Sequence, residues 1–140
     1  MDLDSALDFV RARSLGVLTT IRRDGRPQLS NILYVTDDSG TIRISVTDSR
    51  AKTHNLRRDP RASLYVAGDT PWSYVVVDAV ASLTEVASAP QDRVADELVD
   101  LYRRAQGEHP DWDDFRRAMV EDGRLVIHLE PERAYGILPG

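Results

Sequence analysis

Alternation between hydrophobic and polar residues predicts strands along the first half of the chain. Leu15–Arg22 and Pro27–Thr36 are rich in β-branched and apolar residues, and the turn-forming sequence Arg23-Asp24-Gly25 lies between them, so the pair predicts a hairpin. Thr41–Thr47 follows the turn Asp37–Gly40 and alternates polar with apolar residues throughout, which is typical of a half-buried antiparallel strand. We therefore predict that these strands form a meander.

The second half of the chain adds further strand-like segments, separated by breaks at Asp59-Pro60 and at the loop Gly68–Pro71. These predicted strands are Ala62–Ala67, Trp72–Leu83, Leu125–Leu129 and Ala134–Leu138. Together with the first half they predict about six or seven strands.

Helices are predicted at the start, in the middle and late in the chain. Leu3, Leu7 and Val10 recur with this spacing behind the candidate caps Asp4 and Ser5, and this helix is expected to end near Ser14. The other predicted helices are Ser49–Arg58, Ala87–Gln106 and Asp111–Glu121.

This order of elements predicts an α+β fold with a mainly antiparallel sheet and peripheral helices. The length of 140 residues fits one domain, residues 1–140. A sheet of this size that curls into a small barrel has no exposed edges. We therefore expect a single barrel-like domain.

Composition excludes several classes of function. The formal net charge of -5 argues against a nucleic-acid binder that works through a generally basic surface. The chain has no cysteine and three widely separated histidines, so we expect neither a disulfide nor a metal site. No apolar run approaches the roughly 20 residues of a membrane span, and the first residues do not resemble a secretory signal. A soluble, cytoplasmic protein without a membrane or nucleic-acid partner is expected.

The segment Ser49–Arg58 is basic, carries hydroxyl groups and contains Lys52, the only lysine of the chain. If Asp48 or Ser49 caps this helix, its free N–H groups and the positive end of its dipole point to the same place as Arg50 and Lys52. Such a geometry binds phosphate. The alternative is a capped surface helix whose charges are solvated. Arg57, Arg58 and Arg61 extend the positive charge, either for a longer anionic tail or as surface ion pairs.

Polar residues occur on the second predicted strand where apolar neighbours lead one to expect apolar residues. Gln28, Ser30 and Asn31 are the residues concerned, and buried polar side chains need partners. A planar heterocycle is one such partner, with Ser45 and Thr47 of the next strand nearby. An exposed strand face or a protein–protein seam is the alternative.

Aromatic residues and histidines supply weaker candidates. Trp72 enters a strand after Pro71 and can stack on an aromatic ligand, cover a subunit interface or lie in the core. For Tyr102, His109 and Trp112 we expect packing roles.

Five stretches, taken together, resemble the pyridoxamine 5'-phosphate oxidase-like split β-barrel superfamily, and within it the branch of oxidoreductases that use coenzyme F420, a deazaflavin. They are Leu15–Ile21, Asp24–Asn31, Ser49–Thr53 with Asn55–Ala62, Trp72–Tyr74 and Trp112–Phe115. The resemblance implies a split β-barrel and a homodimer with cofactor sites at the subunit interface.

The same resemblance implies which residues bind the cofactor. Arg50, Lys52 and Thr53 hold its phosphate, with Ser49 and the intervening Ala51 in the same turn. Gln28, Ser30 and Asn31 lie along the ring and its chain, and Arg57 and Trp72 are further cofactor contacts. No catalytic residue is identified.

The resemblance implies hydride transfer from bound reduced F420 to a small organic substrate. The cofactor would then carry the chemistry, which would explain why no acid–base or nucleophile motif is present. FMN is the alternative cofactor. A carrier that binds a cofactor or haem without turnover is the alternative from another class of protein.

Overall fold

The computed structural model describes residues 1–140, and its secondary structure comprises four helices and seven strands. In chain order the elements are α1 (Leu3–Arg11), β1 (Leu15–Ile21), β2 (Pro27–Leu33), β3 (Val35–Thr36), β4 (Ile42–Thr47), α2 (Ala51–Arg58), β5 (Arg61–Ala67), β6 (Tyr74–Leu83), α3 (Arg93–Gln106), α4 (Trp112–Glu121) and β7 (Arg124–Ile137). None of the helices combines the length and the apolar character needed to cross a membrane.

The seven strands form one antiparallel sheet in the order β2-β1-β5-β6-β7-β4-β3. β2 and β3 occupy opposite edges of this sheet, although only Tyr34 separates them in the chain. The two edges must therefore approach each other, which curls the sheet into a barrel. Tyr34 is buried at this corner, where its hydroxyl donates to the Val10 carbonyl oxygen at 2.6 Å. The predicted α+β split-barrel fold is confirmed.

The predicted meander is wrong beyond its first hairpin. β1 pairs with β2 from Leu15↔Leu33 to Ile21↔Pro27, but β4 does not continue from β2. It pairs instead with β3 and with the distant β7. The reason is the corner at Tyr34, which divides the predicted strand Pro27–Thr36 and sends its last residues to the other edge of the sheet.

Several element boundaries also differ from the prediction. α1 ends at Arg11, and its cap is Asp2, which accepts from the Ser5 N–H, in place of Asp4 or Ser5. α3 begins only at Arg93, because Asp92 caps it. The two closing strands are a single long strand, β7, whose register against β6 shifts between Asp78 and Ala79.

The main core fills the barrel, and a smaller cluster lies beneath α3 and α4. Alternate residues of the strands point inward, as the buried Leu18, Leu64 and Ile127 illustrate. Burial of each such side chain stabilises the fold by about 1.5–3 kcal/mol. The helical pair α3–α4 packs on the outside of the filled barrel. A cavity remains between this pair of helices and the barrel.

Candidate functional site

A cavity of about 720 Å³ lies between β2, β4 and the start of α2 on one side and the helices α3 and α4 on the other. One end is cationic and polar, and the other is apolar. Of the residues that the sequence predicted for a cofactor site, Ser30, Asn31, Arg50 and Lys52 line this cavity. The structure thus brings the polar strand positions and the basic helical turn together.

Lys52 lies at the centre of the cationic end. Its Nζ donates to the Ser30 hydroxyl at 3.3 Å, and no carboxylate is within 4.0 Å of it. Burial, followed by the positive charges of Arg50 and Arg124, lowers the pKa of Lys52 below its usual value. Burial and the neighbouring positive charges disfavour the charged form of this ammonium group, and a bound anion would stabilise it.

Arg124 is a third cation at this end, and sequence reasoning missed it. It begins β7 directly opposite Thr47 of β4, and its Nη1 donates to the Ser45 hydroxyl at 3.3 Å. Its Nε is buried without any hydrogen-bond partner, and no carboxylate forms an ion pair with its guanidinium. No signal in the sequence could have identified it, because only the pairing of β4 with β7 carries it to the cavity.

The first turn of α2 supplies backbone donors. The N–H groups of Thr53 and His54 bond to the Arg50 carbonyl, whereas those of Ala51 and Lys52 have no protein acceptor. Arg50 occupies the N-cap position without a side-chain capping bond. The prediction that Asp48 or Ser49 caps the helix is therefore wrong. The Asp48 carboxylate instead pairs with Arg57 at 2.6 Å.

The remaining predicted site residues lie outside the cavity of the single chain. Thr53 is fully buried and donates to the Thr47 carbonyl at 2.8 Å, which holds the turn before α2 in place. The Gln28 side chain accepts from the Thr20 hydroxyl at 3.2 Å. Trp72 is 78% exposed in the turn before β6, so it is not a core residue. Ser49, Ala51 and Arg57 are exposed.

The arginines expected to extend the cationic strip are engaged locally. Arg57 pairs with Asp48, and Arg61 pairs with Asp59 at 2.8 Å. Arg58 donates to the Ile21 carbonyl and to the Asn55 side chain. Arg57 and Arg61 therefore have carboxylate partners within the chain, unlike the cations of the cavity.

The other end of the cavity is formed by α3 and α4. Tyr102 packs edge-on against Phe115, with ring centroids 5.0 Å apart, and against Trp112 at 5.8 Å. His109 lies 5.3 Å from the Tyr102 ring. Tyr102, His109 and Trp112 thus pack together as expected, but Tyr102 and His109 also line the cavity. No pattern in the sequence indicated this second role.

The chemistry of the cavity is that of a binding site for an elongated anion. Three cations line one end, beside a helix start with two free N–H groups, while the walls offer hydroxyl and amide groups and then apolar surface. No cluster of three or more histidine and carboxylate side chains could hold a metal ion.

Comparison with solved structures finds the same fold in proteins of different description. Conserved hypothetical protein Rv2991 from Mycobacterium tuberculosis is 27% identical, with 96% of this chain and 82% of that chain covered and a TM-score of 0.72. A protein described as an F420 reductase is 22% identical over 87% of this chain and 89% of its own, with a TM-score of 0.63. HutZ, the haem storage protein of Vibrio cholerae, is 18% identical over 97% and 95%, with a TM-score of 0.68.

The whole length of the chain also matches one sequence family. The profile described as Pyridoxamine 5'-phosphate oxidase matches residues 3–138, which includes every strand of the barrel and every residue that lines the cavity. The chain therefore belongs to the pyridoxamine 5'-phosphate oxidase family.

Proposed function

We propose that this protein is an oxidoreductase that binds coenzyme F420 in this cavity and reduces a small organic substrate. The observation that carries the proposal is the group of three cations, Arg50, Lys52 and Arg124, which face one cavity without a carboxylate partner. Uncompensated like charges repel each other, so a fold keeps them together when a bound anion offsets the repulsion.

The residues present fit the anionic end of such a cofactor. The buried Nε of Arg124 has no partner in the protein, and a phosphate oxygen is an acceptor that would satisfy it. Lys52 adds a point charge, and the free N–H groups of Ala51 and Lys52 add donors at a helix start. Thr53 would act indirectly, because its hydroxyl already holds the turn.

Ser30 and Asn31 would lie along the ring and its linking chain. When bound in its reduced form, the deazaflavin supplies a hydride to an electrophilic carbon of the substrate. The chain's own residues bind and orient the two molecules and exclude water from the space between them. The two helices and the barrel wall serve this last purpose, since they enclose the cavity on opposite sides.

We further propose that the protein works as a homodimer. The outer face of the sheet exposes large apolar side chains in adjacent strands, namely Leu15, Leu29, Leu33, Tyr65, Tyr135 and Ile137. Exposed apolar surface of this kind marks interaction sites. One row of paired residues crosses this face from strand to strand, namely Asn31, Val17, Tyr65, Val76 and Tyr135. Because Asn31 also lines the cavity, the edge of the cavity is continuous with this face. Gln28, Ser49, Arg57 and Trp72 would then contact the cofactor only through such an interface.

Titration of the purified protein with reduced and oxidised F420 and with FMN tests the choice of cofactor. The similarity to a protein described as an F420 reductase favours F420. The arginines Arg57, Arg58 and Arg61 do not add support for the longer anionic tail of F420, because each has a local partner. We expect tighter binding of F420 and oxidation of its reduced form by an added substrate. Tighter binding of FMN would make the protein a flavin-dependent enzyme of the same fold.

A second candidate is a carrier that binds haem without turnover. The similarity to a haem storage protein raises this alternative, and His109 lines the cavity with a free Nε2 that could ligate iron. Addition of haem followed by absorption spectroscopy tests it. A shift of the Soret band on haem binding that His109→Ala abolishes, together with no F420 binding, would favour the carrier.

A further inference from the structure

The α3–α4 end of the cavity differs chemically from the cationic end. The apolar residues of its wall are Leu98, Leu101, Ala105, Phe115, Ala118 and Met119. We propose that this end is the substrate compartment and that it binds an uncharged, flat, mainly apolar molecule with one carbonyl oxygen.

The absence of cations at this end supports an uncharged ligand. No lysine or arginine of α3 or α4 lines the cavity, and the only carboxylate that does is that of Asp114, which is solvent-exposed. Transfer of an isolated charge from water to an apolar wall is costly. An anionic substrate would therefore bind at the cationic end, where it would compete with the cofactor, and a cationic substrate would be repelled there.

The aromatic side chains favour a flat ligand. Phe115 is held by edge contacts to Tyr102 and Trp112, with ring centroids 5.0 Å and 5.5 Å away. Contacts of this type fix the orientation of the rings. Met119 lies beside them on α4, and its unbranched side chain adapts to irregular shapes. The rigid ring of Phe115 suits a planar ligand, and the flexible side chain of Met119 can adjust to planar ligands of different shape.

His109 supplies the contact to the carbonyl oxygen. Its Nδ1 accepts the Asp111 N–H at 2.9 Å, which requires an unprotonated Nδ1 and therefore a neutral ring with its proton on Nε2. The hydrogen bond at Nδ1 is the only one that the His109 ring makes in the protein, so this Nε2–H has no acceptor there, and the residue lines the cavity. It can donate to a carbonyl oxygen of the ligand, which orients the ligand and polarises the carbonyl group.

The role as substrate compartment rests on the proposed function. There, two electrons arrive with the hydride on the electrophilic carbon of a conjugated C=C–C=O or C=O group. One proton from water completes the reduction, and F420 becomes oxidised. His109 keeps its proton throughout, because it acts as a hydrogen-bond donor.

The compartment is tested by calorimetric titration of the cofactor-free protein with 1-indanone and with indane, which has the same shape without the carbonyl group. Ala118→Trp fills the apolar end and is expected to weaken 1-indanone binding more than tenfold. Ala105→Trp, on the facing helix, is the second blocking variant. Arg117→Trp is the matched control, since Arg117 lies on α4 outside the cavity, and we expect it to bind like the wild type. Unchanged binding in both blocking variants would overturn the proposal.

His109→Phe tests the carbonyl contact. We expect about a fivefold loss of 1-indanone affinity, within the range for a neutral hydrogen bond, and no loss of indane affinity. An equal loss for both ligands would show that His109 only packs. Lys52→Ala should leave the affinities for 1-indanone and for indane unchanged. If 1-indanone binds as described but F420 does not bind, the proposed cofactor is wrong and the compartment stands. If F420 binds and 1-indanone does not, the compartment is wrong.

Discussion

At the scale of single residues, the informative feature is charge without a partner. Most arginines of this chain pair with a carboxylate, as Arg57, Arg61 and Arg116 do. Arg50, Lys52 and Arg124 do not, and they face the same cavity. Repulsion among these three cations lowers the stability of the ligand-free protein, and their positive charge strengthens the binding of an anion. Both effects can be measured.

Replacement of Lys52 by alanine should weaken F420 binding by about 1.5–3 kcal/mol, the usual range for a hydrogen bond to a charged group. Fluorescence titration of the cofactor measures the change. The matched control is Arg23→Ala, which removes one positive charge from the exposed β1–β2 turn and should change the affinity little. Equal affinities of Lys52→Ala and wild type would remove Lys52 from the phosphate site.

Arg124→Met should separate stability from binding. The variant keeps an unbranched apolar stem but removes a guanidinium whose Nε is buried without a partner, so we expect the thermal midpoint of the ligand-free protein to stay equal or to rise. F420 affinity should fall at least tenfold. A clear drop of the midpoint with unchanged affinity would show that Arg124 is structural.

At the scale of elements, α3 forms the wall of the cavity with one face and is anchored to the barrel with another. The buried Arg43 of β4 pairs with Asp100 at 2.8 Å, with Asp37 at 3.0 Å and with Glu97 at 3.5 Å. Glu97 also bonds to His128 Nε2 at 2.5 Å. Movement of α3 away from the sheet would separate Arg43 from Asp100 and Glu97 and leave buried charge uncompensated, which is costly. This network therefore anchors α3 to the sheet.

The Glu97–His128 pair gives the stability a defined pH dependence. The hydrogen bond to Glu97 raises the pKa of His128 above its ordinary 6.5, and the bond to His128 lowers the pKa of Glu97 below its ordinary 4.5. The histidine contribution is fully present below pH 6.5 and is lost as the pH rises through the raised pKa of His128. The carboxylate contribution is present above pH 4.5 and is lost as the pH falls through the lowered pKa of Glu97.

The pair therefore contributes most between about pH 4.5 and 6.5. Urea unfolding of wild type and of His128→Gln should show the larger difference in free energy of unfolding near pH 5.5 and a smaller one near pH 8.5. The same difference at both values would mean that the charge of His128 does not contribute.

At the scale of the whole molecule, the outer face of the sheet leads to the proposed homodimer. Leu15 and Leu33 are directly paired across β1 and β2 and are 61% and 53% exposed. Leu33→Asp should convert a dimer to a monomer, because it buries a charge in an apolar interface. Light scattering after size-exclusion chromatography measures the mass. Arg117→Glu, on α4, is the control and should remain dimeric. A monomeric wild type would refute the homodimer.

Much of the fold could be predicted from local patterns. The β1–β2 hairpin follows from its turn sequence, and α1 and α3 follow from helical spacing, although α1 ends at Arg11 before the predicted Ser14 and α3 begins at Arg93 well after the predicted Ala87. The candidate site could be predicted in part, because Arg50 and Lys52 form a local basic turn and Ser30 and Asn31 interrupt an apolar strand. Arg124 and His109 could not be predicted, since neither stands out among its neighbours in sequence.

The sequence by itself determined the element types, the α+β class and the place of the basic turn, because these depend on residues close together in the chain. Only the tertiary structure decided that β4 pairs with β7, that Tyr34 forms a corner of the barrel and that three cations share one cavity. Those features depend on strand pairings between distant segments. Their registers are selected by the packing of the whole core, which no local pattern contains.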